Sequence, residues 1–89
     1  MTDDREKIIL VEDDPSVRTT IVTFLEMEGF DVEAYSNTRD AIERLSRGGC
    51  PIVISDIYID DRTGLDILNS AKKQDPNCAV ILMTARGTI

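Results

Sequence analysis

The chain has 89 residues, 42% hydrophobic and 30% charged, enough for one domain whose single core buries about 60–65% of the unfolded surface. Its 17 acidic residues against ten basic ones leave a net charge of −7, which argues against direct nucleic-acid binding and favours cations or basic partner surfaces. No apolar run approaches the ~20 residues of a membrane span, and the absence of histidine removes zinc–histidine centres and histidine-based triads.

The N-terminal "MTDDREK" lacks the basic and apolar regions of a secretory signal, so a cytoplasmic setting is expected. "KIILV" (7–11) is a β-rich run too short for a helix and reads as a first strand, followed by Glu12, Asp13 and Asp14. Beyond it, Val17, Ile21, Phe24 and Leu25 fall at helical spacing. Asp14 suits the N-cap, Pro15 the first helical position and Gly29 the end. "FDVEAY" (30–35) alternates as a half-exposed or edge strand does.

Ser36, Asn37 or Thr38 can cap a second helix carrying Ala41, Ile42 and Leu45, stopped by Gly48 and Gly49. "PIVIS" (51–55) is a third strand, apolar on both faces. Gly64 to Lys73 reads as a third helix through Leu65, Leu68 and Ala71, and "AVILM" (79–83) as a fourth, buried strand ending at Thr84. Cys50 and Cys78 read as small buried hydrophobes beside strands, not as a disulfide. Alternating strands and helices imply a parallel sheet covered on both faces, with its function at the carboxyl ends of the strands.

Those ends carry polar residues: Glu12, Asp13 and Asp14 after the first strand, Asp56 after the third, Thr84 after the fourth. If the first and third strands are neighbours, their acids converge, and carboxylates about 4 Å apart repel by roughly 4 kcal/mol at an effective dielectric of 20. Such a cluster needs protons or a cation, and hard oxygen donors suit Mg²⁺. Taken singly, each acid could be a solvated loop residue, and Asp14 a helix cap. Their coincidence on separate strand ends favours a site.

"ILVEDDPSVR", "VISDIYIDDRTGLDIL" and "VILMTARGT" resemble, in order and spacing, the signature blocks of bacterial response-regulator receiver domains, and the likeness runs along the whole chain. The resemblance implies a flavodoxin-like doubly wound α/β fold with strand order 2-1-3-4, here without the family's fifth βα unit. It implies that Asp56 accepts a phosphoryl group from a histidine kinase. It also implies that Glu12 and Asp13 hold Mg²⁺ with Asp56, Asp13 most directly, and that the backbone carbonyl of Tyr58 is a further ligand. Thr84 matches the hydroxyl that contacts the phosphoryl group and switches position, while Asp14 falls just outside the acidic pair.

The same likeness makes this a phosphoacceptor and not a turnover enzyme. Its implied partners are a sensor histidine kinase or phosphotransfer protein and an output domain, ATPase and DNA-binding in kind, in a longer chain. The alternative is a pseudo-receiver serving docking or dimerisation without phosphorylation. A haloacid-dehalogenase-type phosphohydrolase asks for an aspartate at position 58, which is Tyr58.

Two departures stand out. The family's Met-Pro-Gly-Met-Asp-Gly turn is "IDDRTG" here, with only Gly64 in register, and Asp60 and Asp61 read as solvated acids at the mouth of the site. The chain ends at Ile89, before the fifth-strand lysine and aromatic switch residue, and Lys72 and Lys73 read as surface residues, not substitutes. An unpaired "AVILM" would be an exposed apolar edge, so either a fragment of a longer protein or a dimer or swapped oligomer through that strand is expected.

Overall fold

The computed structural model describes residues 5–83. The elements run β1 (Lys7–Val11), α1 (Pro15–Met27), β2 (Asp31–Tyr35), α2 (Thr38–Ser46), β3 (Ile52–Asp56), α3 (Gly64–Gln74) and β4 (Ala79–Met83). All strand pairs are parallel, in the order β2-β1-β3-β4 of the flavodoxin-like fold.

The helix starts follow from local hydrogen bonding. The Asp14 carboxylate accepts from the amides of Ser16 (2.8 Å) and Val17 (3.1 Å), with Pro15 in the first turn, where a missing N–H costs nothing. Asn37 caps α2 by accepting from Asp40 N, and Thr63 caps α3 by accepting from Leu65 N. After α1 the chain reverses through Gly29 at φ +96°, a conformation that disfavours a side chain.

Alternation along the strands divides the apolar residues between two faces. Ile9, Val11 and Val53 meet Ala41 and Leu45 of α2 and Ile67 and Ala71 of α3, with Cys50, Ile59 and Cys78 closing this core. Ile8 and Leu10, also buried, point to the other face. A right-handed crossover out to β2 puts α1 on that second face, whereas the crossovers back to β3 and β4 put α2 and α3 together on the first.

The two faces are covered unequally. α1 contributes no fully buried residue, and Phe24 and Met27 are largely exposed. β4, expected as a buried strand, has no buried residue, and Ile81 is 52% exposed. The register Leu10, Ile54, Ile81 places Ile81 on the α1 face of the outermost strand, beyond the reach of α1 over β1 and β2. Both cysteines are buried and unpaired, as the sequence suggests, and the Cys78 thiol donates to the Cys50 carbonyl at 3.1 Å.

One charged network ties β1, β2 and α2 together. The Glu33 carboxylate accepts from Lys7 Nζ (2.7 Å), Arg44 Nε (2.8 Å) and Tyr35 Oη (3.1 Å). The Lys7 bond above all, then those of Arg44 and Tyr35, hold its pKa at about 2 despite partial burial. A carboxylate so depressed stabilises the fold above its ordinary value of 4.5, and that stability is lost as pH falls toward 2. Glu33→Gln is expected to lower stability at pH 7 by about 1–2 kcal/mol, a figure reduced for solvent screening of a partly exposed group. Urea melts at several pH values should show the gap between wild type and variant closing as pH falls from 4.5 toward 2.

Candidate functional site

The acid run and Asp56 meet because β1 and β3 are adjacent. Their register pairs Val11 with Ser55, so the next residue of each strand, Glu12 and Asp56, emerges beside the other at the carboxyl edge. This is the point where strand order reverses, the usual ligand position of an open α/β sheet. Glu12, Asp13 and Asp56 each place a carboxylate oxygen within 4.8 Å of the others.

The three sit in different surroundings. Glu12 is buried, Asp56 half-buried and Asp13 exposed. Glu12 accepts from the Asp14 amide at 3.0 Å, and its own amide donates to the Tyr35 carbonyl at 3.0 Å. Burial pushes the Glu12 carboxyl above its usual range, and the negative charges of Asp56 and Asp13 add to the rise while the Asp14 amide opposes it. Three oxygen donors without nitrogen or sulfur suit a hard divalent cation, whose charge would relieve the mutual repulsion.

Asp14 is a helix cap: its carboxylate turns to the first turn of α1 while its amide steadies Glu12. Sequence reasoning missed Arg18. Its Nη1 donates to the carbonyls of Glu12 (2.9 Å) and Asp13 (3.4 Å), holding the β1–α1 loop from one turn inside α1. A basic residue one turn beyond an acidic strand end is the signal that could have pointed to it.

An open crevice of about 420 Å³ lies over the cluster, lined by Glu12, Asp13, Asp14, Val17 and Asp56 and, from the β3–α3 loop, Tyr58, Ile59 and Asp60. The Ile57 amide donates to Met83 O (2.8 Å), the Gly64 amide returns to Ile57 O (2.7 Å), and Tyr58 pairs with Thr63 in an antiparallel bridge. Asp60 departs from the expectation of a merely solvated acid. Although exposed, it accepts from Thr38 N (3.0 Å), Thr38 Oγ1 (3.1 Å) and Arg62 N (3.0 Å), and the Thr38 amide foremost draws its pKa below the usual range. Asp61 is exposed, as expected.

Thr84 lies outside the described residues, but Met83 just before it is paired with Asp56, so the end of β4 adjoins the cluster. Lys72 is at the opposite edge, where its ammonium donates to the carbonyls of Pro76 and Cys78 ahead of β4.

A family model described as the response regulator receiver domain matches residues 8–89. The chain belongs to this family. Receiver-domain relatives include the luminescence regulatory protein LuxO of Vibrio campbellii, 36% identical over 80 residues that make up 90% of this chain and 18% of LuxO. The signal receiver domain of a putative LuxO repressor from Vibrio parahaemolyticus superposes with a TM-score of 0.82 at 29% identity, over 96% of this chain and 65% of that one. The response regulator MaeR bound to beryllium trifluoride does so at 0.79 and 32% identity, over 93% and 70%. This receiver domain therefore spans less than a fifth of LuxO's length. Among the described residues no helix is long and apolar enough to cross a membrane.

Gly64 is the residue on which the loop's return depends. A Cβ there would lie 2.6 Å from the Asp56 carbonyl and 3.2 Å from Ile57 Cα, so the backbone itself would have to move. Gly64→Ala is expected to cost about 1–3 kcal/mol, as overpacking does, and to displace Asp56. Urea midpoints should fall and the amide resonances of residues 56–64 should shift, whereas an unchanged stability and spectrum would contradict this role.

Proposed function

We propose that this receiver domain is a phosphoacceptor: Asp56 takes a phosphoryl group from a phosphohistidine donor, assisted by Mg²⁺ held by Asp13, Glu12 and Asp56 with the Tyr58 backbone carbonyl. The observation that carries this reading is the convergence of three carboxylate oxygens within 4.8 Å at the switch point of the sheet. Family membership and the binding of beryllium trifluoride, a phosphoryl mimic, by the relative MaeR support it.

In the transfer, an Asp56 carboxylate oxygen attacks phosphorus, the P–N bond to the donor imidazole breaks, and the electron pair leaves with that nitrogen. Held by Glu12, Asp13 and Asp56, Mg²⁺ would supply neutralisation of the negative charge on the phosphoryl group in transfer. The protein's part is alignment: the β1–β3 register sets Asp56 against Glu12 and Asp13, and Arg18 and the Asp14 amide hold the acidic loop still. Thr84, following β4, is assigned the hydroxyl contact with the acquired phosphoryl group, and its movement is the start of the switch.

The reading extends to the whole protein. Residues 1–89 form the N-terminal portion of a cytoplasmic receiver domain in a longer regulator, with a histidine kinase or phosphotransfer protein upstream and an output domain downstream. The chain is not a turnover enzyme and makes no direct contact with nucleic acid. The outer edge of β4 takes a further strand, from the same longer chain or from a second copy.

Incubation with Mg²⁺ and acetyl phosphate is expected to add one phosphoryl mass to wild type and none to Asp56→Ala. Asp13→Asn should raise the Mg²⁺ concentration required. A folded chain that binds Mg²⁺ yet gains no mass, and is not perturbed by beryllium trifluoride, would instead be a docking module.

A further inference from the structure

We propose that Asp60 and Thr38 form a clip between the β3–α3 loop and α2 that positions the Tyr58 end of the crevice, making Asp60 a positioning residue for the acidic site. The inference rests on the phosphoacceptor reading, because the function of the clip is to hold that site's loop.

The loop after Asp56 lacks the proline-glycine turn common in the family, and Asp60 stands where the proline would restrict the backbone. Its order has another source. Thr38 is the first residue of α2 and 2% exposed, and Asn37 caps the helix through Asp40 N. The Thr38 amide is one of the donors that no intrahelical carbonyl can satisfy, and Asp60 satisfies it from outside the helix, 22 residues away in sequence. The hydroxyl of Thr38 adds a bond to the same carboxylate, and the Arg62 amide bonds to it from within the loop.

Tyr58 is thereby held from both directions. Buried Ile59 anchors the chain between it and Asp60, and the bridge to Thr63 fixes the returning strand. The clip also offsets part of the Asp60 charge: the Thr38 amide and the positive dipole end of α2 favour an anion there and weaken the repulsion that this carboxylate, in the crevice lining, exerts on an incoming phosphoryl group.

Two effects of Asp60 on the cation must be separated, its charge and its tether. Thr38→Pro removes both donors and leaves the charge. Proline is tolerated at the first helical position, and Asn37 already has the extended backbone (φ −147°, ψ 162°) favoured before it. Thr38→Val removes the hydroxyl alone, and Asp60→Asn removes the charge while keeping one acceptor oxygen.

Mg²⁺ affinity, amide hydrogen exchange over residues 57–63 and melting temperature would be measured on wild type and each variant. A clip predicts that Thr38→Pro speeds exchange in the loop and weakens Mg²⁺ binding by about tenfold, the lower end for partners that orient metal ligands. Thr38→Val should lie between it and wild type, and Asp60→Asn should be milder than Thr38→Pro. If only Asp60→Asn weakens Mg²⁺ binding, the effect is charge and the clip is overturned. It is equally overturned if melting falls in the Thr38 variants with unchanged loop exchange and Mg²⁺ affinity. Failure of wild type to bind Mg²⁺ would overturn the phosphoacceptor reading, and this inference with it, before any variant is compared.

Discussion

The pairing of β1 with β3 is the contact on which everything else in the molecule depends. It brings together strands separated in sequence by α1, β2 and α2, and its register sets Val11 against Ser55. Because side chains alternate, a slip of one residue would turn either Ile9 and Val11 of β1 or Val53 of β3 out of the core formed with α2 and α3. The same slip would move Glu12 and Asp13 relative to Asp56. Core packing thus enforces the site's geometry, and the repulsion among the acids is opposed by apolar burial a few residues away.

The site stores strain as charge and not as backbone distortion. No non-glycine residue among those described has positive φ. Glu12 is buried near two other acids, and its raised pKa expresses that cost. The surrounding polar groups respond by fixing positions: Arg18 grips the loop through carbonyls, and Asp14 divides its amide and carboxylate between Glu12 and α1. Away from the site, Glu33 shows the opposite case, a carboxylate matched by Lys7 and Arg44.

Much of this was legible in the sequence. The apolar runs at 7–11, 51–55 and 79–83, the helical spacing after Pro15, the cap at Asp14 and the choice of caps among Ser36, Asn37 and Thr38 are local signals, and each element lies within a residue or so of where they place it. Asp56 and the acid pair were legible because a buried strand seldom ends on a charge without a reason. What stayed hidden depends on contacts between distant segments. Asp60 looks like a solvated loop acid until Thr38 is seen beside it, and no local pattern joins two residues 22 apart. For β4 the sequence pointed two ways, a buried run by composition and an exposed apolar edge if unpaired, and that Ile81 in particular faces outward follows only from the position of β4 in the sheet and the reach of α1.

Cys50 and Cys78 lie just ahead of β3 and β4, on the edge of the sheet opposite the acids. Burial raises the pKa of both thiols, so the thiolate that reacts with oxidants and alkylating reagents is scarce in the native state. Their chemistry is silent while the α2–α3 core is closed and starts when it opens. The molecule therefore carries two native clocks of core opening, remote from the crevice and needing no engineered label.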